Sequence, residues 1–160
     1  MIKKEVMDMT AYCGLFCRDC LRYRGKISDA ARSLFVEIER GNFAHYAEVK
    51  MKFDKSFENY SVFIDVLRKI ADLECKESCR KGGGCASFDC PILRCCLEKK
   101  YQGCWQCDQL TNCNNFDFLK PFHGETPKNN CIDLRNNGFE NFTTRKQAFY
   151  IWDKMRRVFT

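Results

Sequence analysis

The sequence has no window approaching 18 unbroken apolar residues, and its opening MIKKEVMDMT lacks the apolar stretch that a signal-peptide core needs. Neither secretion nor membrane spanning is expected, and the expected location is the cytoplasm. Internal repeats and low-complexity segments are also missing, and little strand-like alternation is visible. No serine or cysteine comes with a recognisable base and orienting acid, so nucleophilic catalysis has no support in the pattern. Ordinary hydrophobic residues are scarce as well. Apolar types make up 45% of 160 residues, but 13 of these are cysteines, and without them about 37% remains, a thin core for one domain.

Cysteine is what the chain has in excess, at about 8% of its residues, near the level that marks a cross-linked or metal-stapled scaffold. In a reducing compartment such thiols stay unpaired unless they bind metal or do redox chemistry, and an odd count prevents complete pairing within one chain. The formal charge of +6 suggests a polyanion partner, but it counts every thiol as neutral. A zinc ion on four thiolates carries roughly −2, so two or three such sites would remove most or all of the positive balance.

The cysteines fall in blocks: Cys13, Cys17 and Cys20, then nothing from 21 to 74, then nine between Cys75 and Cys113, and Cys131 alone. Helices are predicted in the gap. Ser28 can cap a helix whose apolar positions Ala31, Leu34, Phe35 and Ile38 repeat at helical spacing, with Gly41 to end it. Val62, Phe63, Val66, Leu67, Ile70 and Leu73 mark a second helix from about Asn59 or Ser61 to Leu73. Residues 43 to 53 are expected to be helical too.

The 75 to 113 block, with Gly82, Gly83 and Gly84, is expected to be irregular apart from a short helix from Ile92 to Lys100. Thr126 to Asn130 and Asn136 to Gly138 read as turns, and a final helix is predicted from Thr143 or Thr144 to Val158. Its basic residues Arg145, Lys146, Lys154, Arg156 and Arg157 raise a nucleic-acid reading. The apolar stripe Ala148, Trp152, Met155 and Phe159 fits a core face with a solvated basic side equally well, and the latter is favoured.

Structural zinc takes four ligands at tetrahedral corners, and a C-x2-C turn supplies two of them. Cys17-Arg18-Asp19-Cys20 and Cys104-Trp105-Gln106-Cys107 are such turns. Cys75 and Cys79 add a C-x3-C pair, and Cys85, Cys90, Cys95 and Cys113 continue the ladder at gaps of four or five residues. Lys81-Gly82-Gly83-Gly84-Cys85 lacks the ending of a phosphate-binding loop and is read as slack around metal. His45 and His123 have no motif spacing to a cysteine and are read as surface side chains.

The opening AYCGLFCRDCLRY, then CKESCRKGGGC, then CPILRCCLEKKYQGCWQC with Cys113 beyond, resembles the cysteine-rich prokaryotic family catalogued as domain of unknown function 3795, over about Ala11 to Leu119. The resemblance implies a small cytoplasmic zinc-binding protein with no established reaction. Cys13, Cys17, Cys20, Cys79, Cys90, Cys95, Cys104, Cys107 and Cys113 match its pattern, with Ser78 where glycine is usual. Cys96 stands where the family commonly has alanine and Cys131 lies beyond the core pattern, so neither is an expected ligand.

Cys13-x3-Cys17-x2-Cys20 also has the spacing of radical S-adenosylmethionine enzymes, but Asp19 replaces the usual aromatic residue and the chain is short for their barrel. An iron–sulfur or thiol redox protein is an alternative, although the ferredoxin run C-x2-C-x2-C-x3-C-P is absent and Cys90-Pro91 is its only echo. The expectation is therefore a mainly α single domain over 1–160, with two to four helices beside an irregular module closed by two or three zinc ions, and a helical extension over about 129–160. Its expected role is a non-enzymatic binding or interaction module, with protein as a candidate partner class that no motif identifies further. Nucleic acid is the second alternative, and no membrane is involved.

Overall fold

A computed structural model describes residues 2–84, 89–140, 142 and 148–155. Among these residues the secondary structure is helical, without strands: eight α-helices, several of four to eight residues, are joined by 3-10 turns. The chain is mainly α, as expected, but with more helices than two to four. The surplus comes from short turns of helix in the cysteine-rich half and from one segment that the sequence disguises. The chain divides into two compact units, residues 24–75 and residues 1–23 with 76–160.

The smaller unit holds α3 (Lys26–Arg40), α4 (Phe43–Lys50) and α5 (Tyr60–Ala71). Helix α3 starts one turn before the expected cap. Gly25 is its N-cap residue, and Ser28 lies inside the helix at 2% exposure. Its end is as expected, with the Gly41 amide donating to the Glu37 carbonyl at 3.0 Å. Helices α3 and α5 bury Ala31, Ile38 and Leu67 against each other, with Phe35, Tyr60, Ile64 and Ile70 packed alongside. The buried face of α5 is therefore rotated from the predicted stripe, and Val62 is 60% exposed while Ile64 points inward. Arg32 ties the two helices, donating to the Ala71 carbonyl at 2.8 Å at the end where α5 leaves carbonyls unpaired.

The larger unit carries α1 (Ile2–Asp8), α2 (Leu21–Arg24, at the boundary), α6 (Pro91–Glu98), α7 (Lys120–His123) and α8 (Thr126–Asn137). Its core gathers Val6, Ile92, Trp105, Leu110, Phe116, Leu119, Leu134, Phe139 and Phe142 with Cys96, Cys104 and Cys131. Thiols thus fill core positions that ordinary hydrophobes leave vacant. Pro91 opens α6 from the extended Cys90, which is where proline costs a helix nothing.

Helix α8 corrects the expected turns at 126–130 and 136–138. Pro127 starts the helix, and Pro127, Asn130, Cys131 and Leu134 form one buried face within an otherwise polar sequence. Asn130 is held there because its amide donates to the Gly14 carbonyl at 3.0 Å. About half of the expected final helix, 143–147 and 156–158, lies outside the described residues. Where it is described it does not run through 148–150, and residues 151–155 form a 3-10 turn. The carbonyls of Ala148 and Phe149 are bound instead by Thr126 and His123, which takes them out of a helical ladder.

Candidate metal centre

Both C-x2-C segments adopt the same backbone. Residues 17–19 and 104–106 are single 3-10 turns that follow an extended residue, and each closes when the second cysteine amide donates to the first cysteine carbonyl at 3.0 Å. Residues three apart eclipse on a 3-10 turn, so each pair of thiols is set on one side. Cys79 opens a third turn of this kind, over 79–81, and Cys113 caps a fourth, over 110–112. Cys13 sits in a tight reversal between Thr10 and Phe16, where Ala11 receives the amide of Gly14 at 2.9 Å.

Two glycines permit these turns. A Cβ on Gly103 would stand 2.2 Å from the Trp105 ring, which folds back over it. Gly14 has φ +85°, and a Cβ there would meet Cys131 Sγ and the Pro127 carbonyl, both at 2.8 Å.

Side chains from distant segments lock the turns together. The Cys104 amide donates to the Tyr12 carbonyl at 2.9 Å. Arg135 on α8 donates to the carbonyls of Trp105 and Cys107, gripping the second C-x2-C turn. Arg80 places its Nε between the carbonyls of Met7 and Thr10, at 2.8 and 2.7 Å, and its Nη2 on that of Gln102 at 2.6 Å. Its guanidinium lies over the rings of Tyr12 and Trp105. One cation thus joins the segments that carry Cys13, Cys79 and Cys104.

These constraints draw the cysteines into two neighbourhoods. Cys13, Cys20 and Cys79 pack against a small cluster of Ala11, Leu15, Phe149 and Tyr150, with Cys20 Sγ 3.4 Å from the Tyr150 hydroxyl. Cys95, Cys96, Cys104, Cys107 and Cys113 line one cavity with Ile92, Tyr101, Leu110, Asn115 and Phe116. Its volume of about 20 Å³ admits a particle of water size. Burial holds the Cys13 and Cys95 thiols above their ordinary range, partly offset at Cys13 by the Leu15 backbone hydrogen bond and at Cys95 by Lys99. Cys96 is raised first by its hydrogen bond to Cys104 and then by burial.

The donor set suits a thiophilic ion: sulfur atoms of sufficient number around a space of the right size, with no carboxylate or imidazole among the lining residues. Ser78 Oγ, sealed from solvent beside Cys79 in sequence, has no hydrogen-bond partner among the described residues. It is a spare donor of the kind that an ionised sulfur can accept. The thiols are neighbours without yet converging, since among the described residues no three metal-ligating side chains are grouped closely enough to hold an ion.

Of the remaining expected ligands, Cys17 and Cys90 are half-buried in the same unit, and Cys75 belongs to the smaller unit. Cys85 lies outside the described residues. His45 is exposed on α4, as read from sequence. His123 is not a surface residue: it is 7% exposed, stacked on Tyr150, with Nδ1 2.6 Å from the Phe149 carbonyl, and burial lowers its pKa.

Sequence reasoning missed the tying roles of Arg80 and Arg135, which have no local signature. It left Cys96 and Cys131 aside although both are wholly buried in the same core cluster as Cys104, with Cys96 Sγ 3.7 Å from Cys104 Sγ. Among the described residues no helix is long and apolar enough to cross a membrane.

No curated protein and no solved structure matches the chain. Residues 9–118 match the family described as "Protein of unknown function (DUF3795)", which spans the cysteine turns and both neighbourhoods of thiols, and the chain belongs to that family.

Proposed function

We propose that this protein is a thiolate zinc protein whose metal sites are structural, and that the stapled surface serves as a binding or interaction module. The observation that carries the reading is the cavity lined by five cysteines, three of them on 3-10 turns or their caps and two on α6. Cys95, Cys104, Cys107 and Cys113 supply one ligand set. Cys13, Cys17 and Cys20 supply a second, with Cys79 as the fourth donor, because Cys79 packs with Cys13 and Cys20 against the same apolar residues. A zinc ion in each set supplies a cross-link between chain segments that are far apart in sequence.

Cys95, whose thiol burial holds neutral and whose ionisation the neighbouring sulfurs oppose, becomes favourable as a thiolate only beside a cation. The reading thus accounts for a unit that spends core positions on sulfur. Elemental analysis and a visible spectrum of anaerobically purified protein test it. At least two zinc ions per chain and no visible absorption are expected. Iron with sulfide and a brown colour, or less than one zinc per chain, would contradict it.

A further inference from the structure

The smaller unit leaves aromatic rings outside its buried core of Ala31, Ile38 and Leu67, with Phe43, Tyr46 and Phe63 all exposed. These rings are not scattered. Phe43 and Tyr46 on α4, Phe57 on the 3-10 turn Lys55–Asn59, and Tyr60 and Phe63 on α5 form a connected series. Ring centres are 5.1 Å apart for Phe43 and Tyr46, 5.9 Å for Phe43 and Tyr60, 6.3 Å for Tyr46 and Phe57, and 6.4 Å for Tyr60 and Phe63. Phe43, Phe57, Tyr60 and Phe63 line a cavity of about 320 Å³ together with Ser56 and Asn59. That volume suits a small organic molecule rather than a bare ion.

We propose that this aromatic cup, with the Asp54 carboxylate beside it, is a binding site for a small quaternary ammonium solute. Two observations select a cation. An aromatic ring is negative on its face and attracts positive charge there. Among the described residues, lysine and arginine lie over the rings of Tyr12, Phe35, Trp105 and Phe116, so the chain's own cations leave the rings of the cup unclaimed. The second observation is a carboxylate fixed at the lining. Asp54 Oδ1 accepts from the Ser56 hydroxyl at 2.5 Å and from the Ser56 amide at 3.0 Å, and Ser56 borders the cavity. These two bonds hold the Asp54 carboxyl below its ordinary range, the hydroxyl contributing more, and Lys50 offsets part of its charge.

Hydration selects among cations. A metal ion or a primary ammonium would exchange tightly held water for rings that offer no hydrogen-bond acceptor, which is costly. Methyl groups on nitrogen spread the charge over an apolar surface, so a quaternary ammonium gives up little hydration and touches the ring faces directly. Ser56 and Asn59 form the polar side of the cavity, suited to a hydroxyl or carbonyl carried by the same solute. Asn59 is the N-cap residue of α5 but makes no side-chain cap hydrogen bond, so its amide is not spent on the helix.

The site lies wholly within the smaller unit and is independent of the zinc reading. The full chain is titrated with choline chloride at constant ionic strength, and in parallel with dimethylbutanol, the uncharged isostere in which carbon replaces nitrogen. Binding is read from the upfield NMR shift of the methyl protons and from the ring protons of the cup. Choline should bind with a Kd of about 1 mM or tighter, and the isostere about tenfold more weakly. Phe63→Leu should weaken choline binding about threefold. Asp54→Asn, which can keep both bonds to Ser56, should weaken choline and leave the isostere unchanged. Both residues are exposed, and circular dichroism checks that the variants stay folded. No shift of the cup rings by choline, equal binding of the isostere, or parental choline binding in folded Asp54→Asn overturns the proposal. Tighter binding to phosphatidylcholine vesicles than to choline would assign the cup to a lipid headgroup and overturn the free-solute reading.

Discussion

Replacing Arg80 with alanine removes a side chain that joins the Cys13, Cys79 and Cys104 segments. The Nε proton is shared between the Met7 and Thr10 carbonyls and counts as one bond, and Nη2 to Gln102 is a second. Charge-assisted bonds contribute about 1.5–3 kcal/mol each, and partial exposure of this residue favours the lower end. The guanidinium 4.6 Å from the Tyr12 ring centre adds about 0.5–1 kcal/mol. The expected loss is therefore about 3–4 kcal/mol in the larger unit.

At roughly 2–4 °C per kcal/mol for a chain of this size, the melting transition should fall by about 6–16 °C. Arg80→Lys keeps the charge but not the planar fork, so it should recover only about 1 kcal/mol. Urea unfolding followed by tryptophan fluorescence reports the change, because Trp105 lies under Arg80. A loss below 1 kcal/mol for the alanine variant, or full rescue by lysine, would refute the tying role.

Gly103→Ala drives a methyl into the Trp105 ring, which is itself packed edge-on to Phe139, and should cost about 2–4 kcal/mol from overpacking and lost ring contact, read by the same urea titration. Cys95→Ser should lose close to one zinc per chain by elemental analysis, whereas Cys96→Ser keeps the full complement. Equal loss in both would show that the ligand ladder is wrongly aligned. His123 is held below its ordinary pKa by burial, so its neutral form contributes stability that is complete above about pH 6.5 and is lost as pH falls through the lower folded value. The difference in unfolding free energy between the parent and His123→Gln should shrink over that window and stay flat above it.

Much of this was legible in the sequence where the signal is local. The α3 stripe of Ala31 and Ile38, the stop at Gly41 and the paired C-x2-C turns follow from spacing and from backbone preferences that act within a few residues. Helix α8 was illegible because its sequence is polar. Its buried face consists of Pro127, Asn130, Cys131 and Leu134, and Asn130 is tolerated inside only because the Gly14 carbonyl, 116 residues away, accepts its amide. His123 was misread for the same reason, since its partner is the carbonyl of Phe149. The site was legible as a set of sulfur donors but not as a partition, because the groupings depend on the contacts of Arg80, Arg135 and the α6 and α8 faces rather than on intervals along the chain.

The central claim is that bound metal, more than hydrophobic burial, holds the larger unit together. Structural zinc contributes about 10–16 kcal/mol of apparent folding free energy in small finger peptides, against roughly 5–15 kcal/mol for the whole stability of a domain. The decisive measurement is the thermal transition of the full chain, with its amide NMR spectrum, before and after removal of metal by a strong chelator under reducing conditions. The transition of the larger unit should disappear and the signals of residues 76–113 should collapse, then return when zinc is restored. A metal-free chain that keeps its melting transition and dispersed signals from that block would contradict the account.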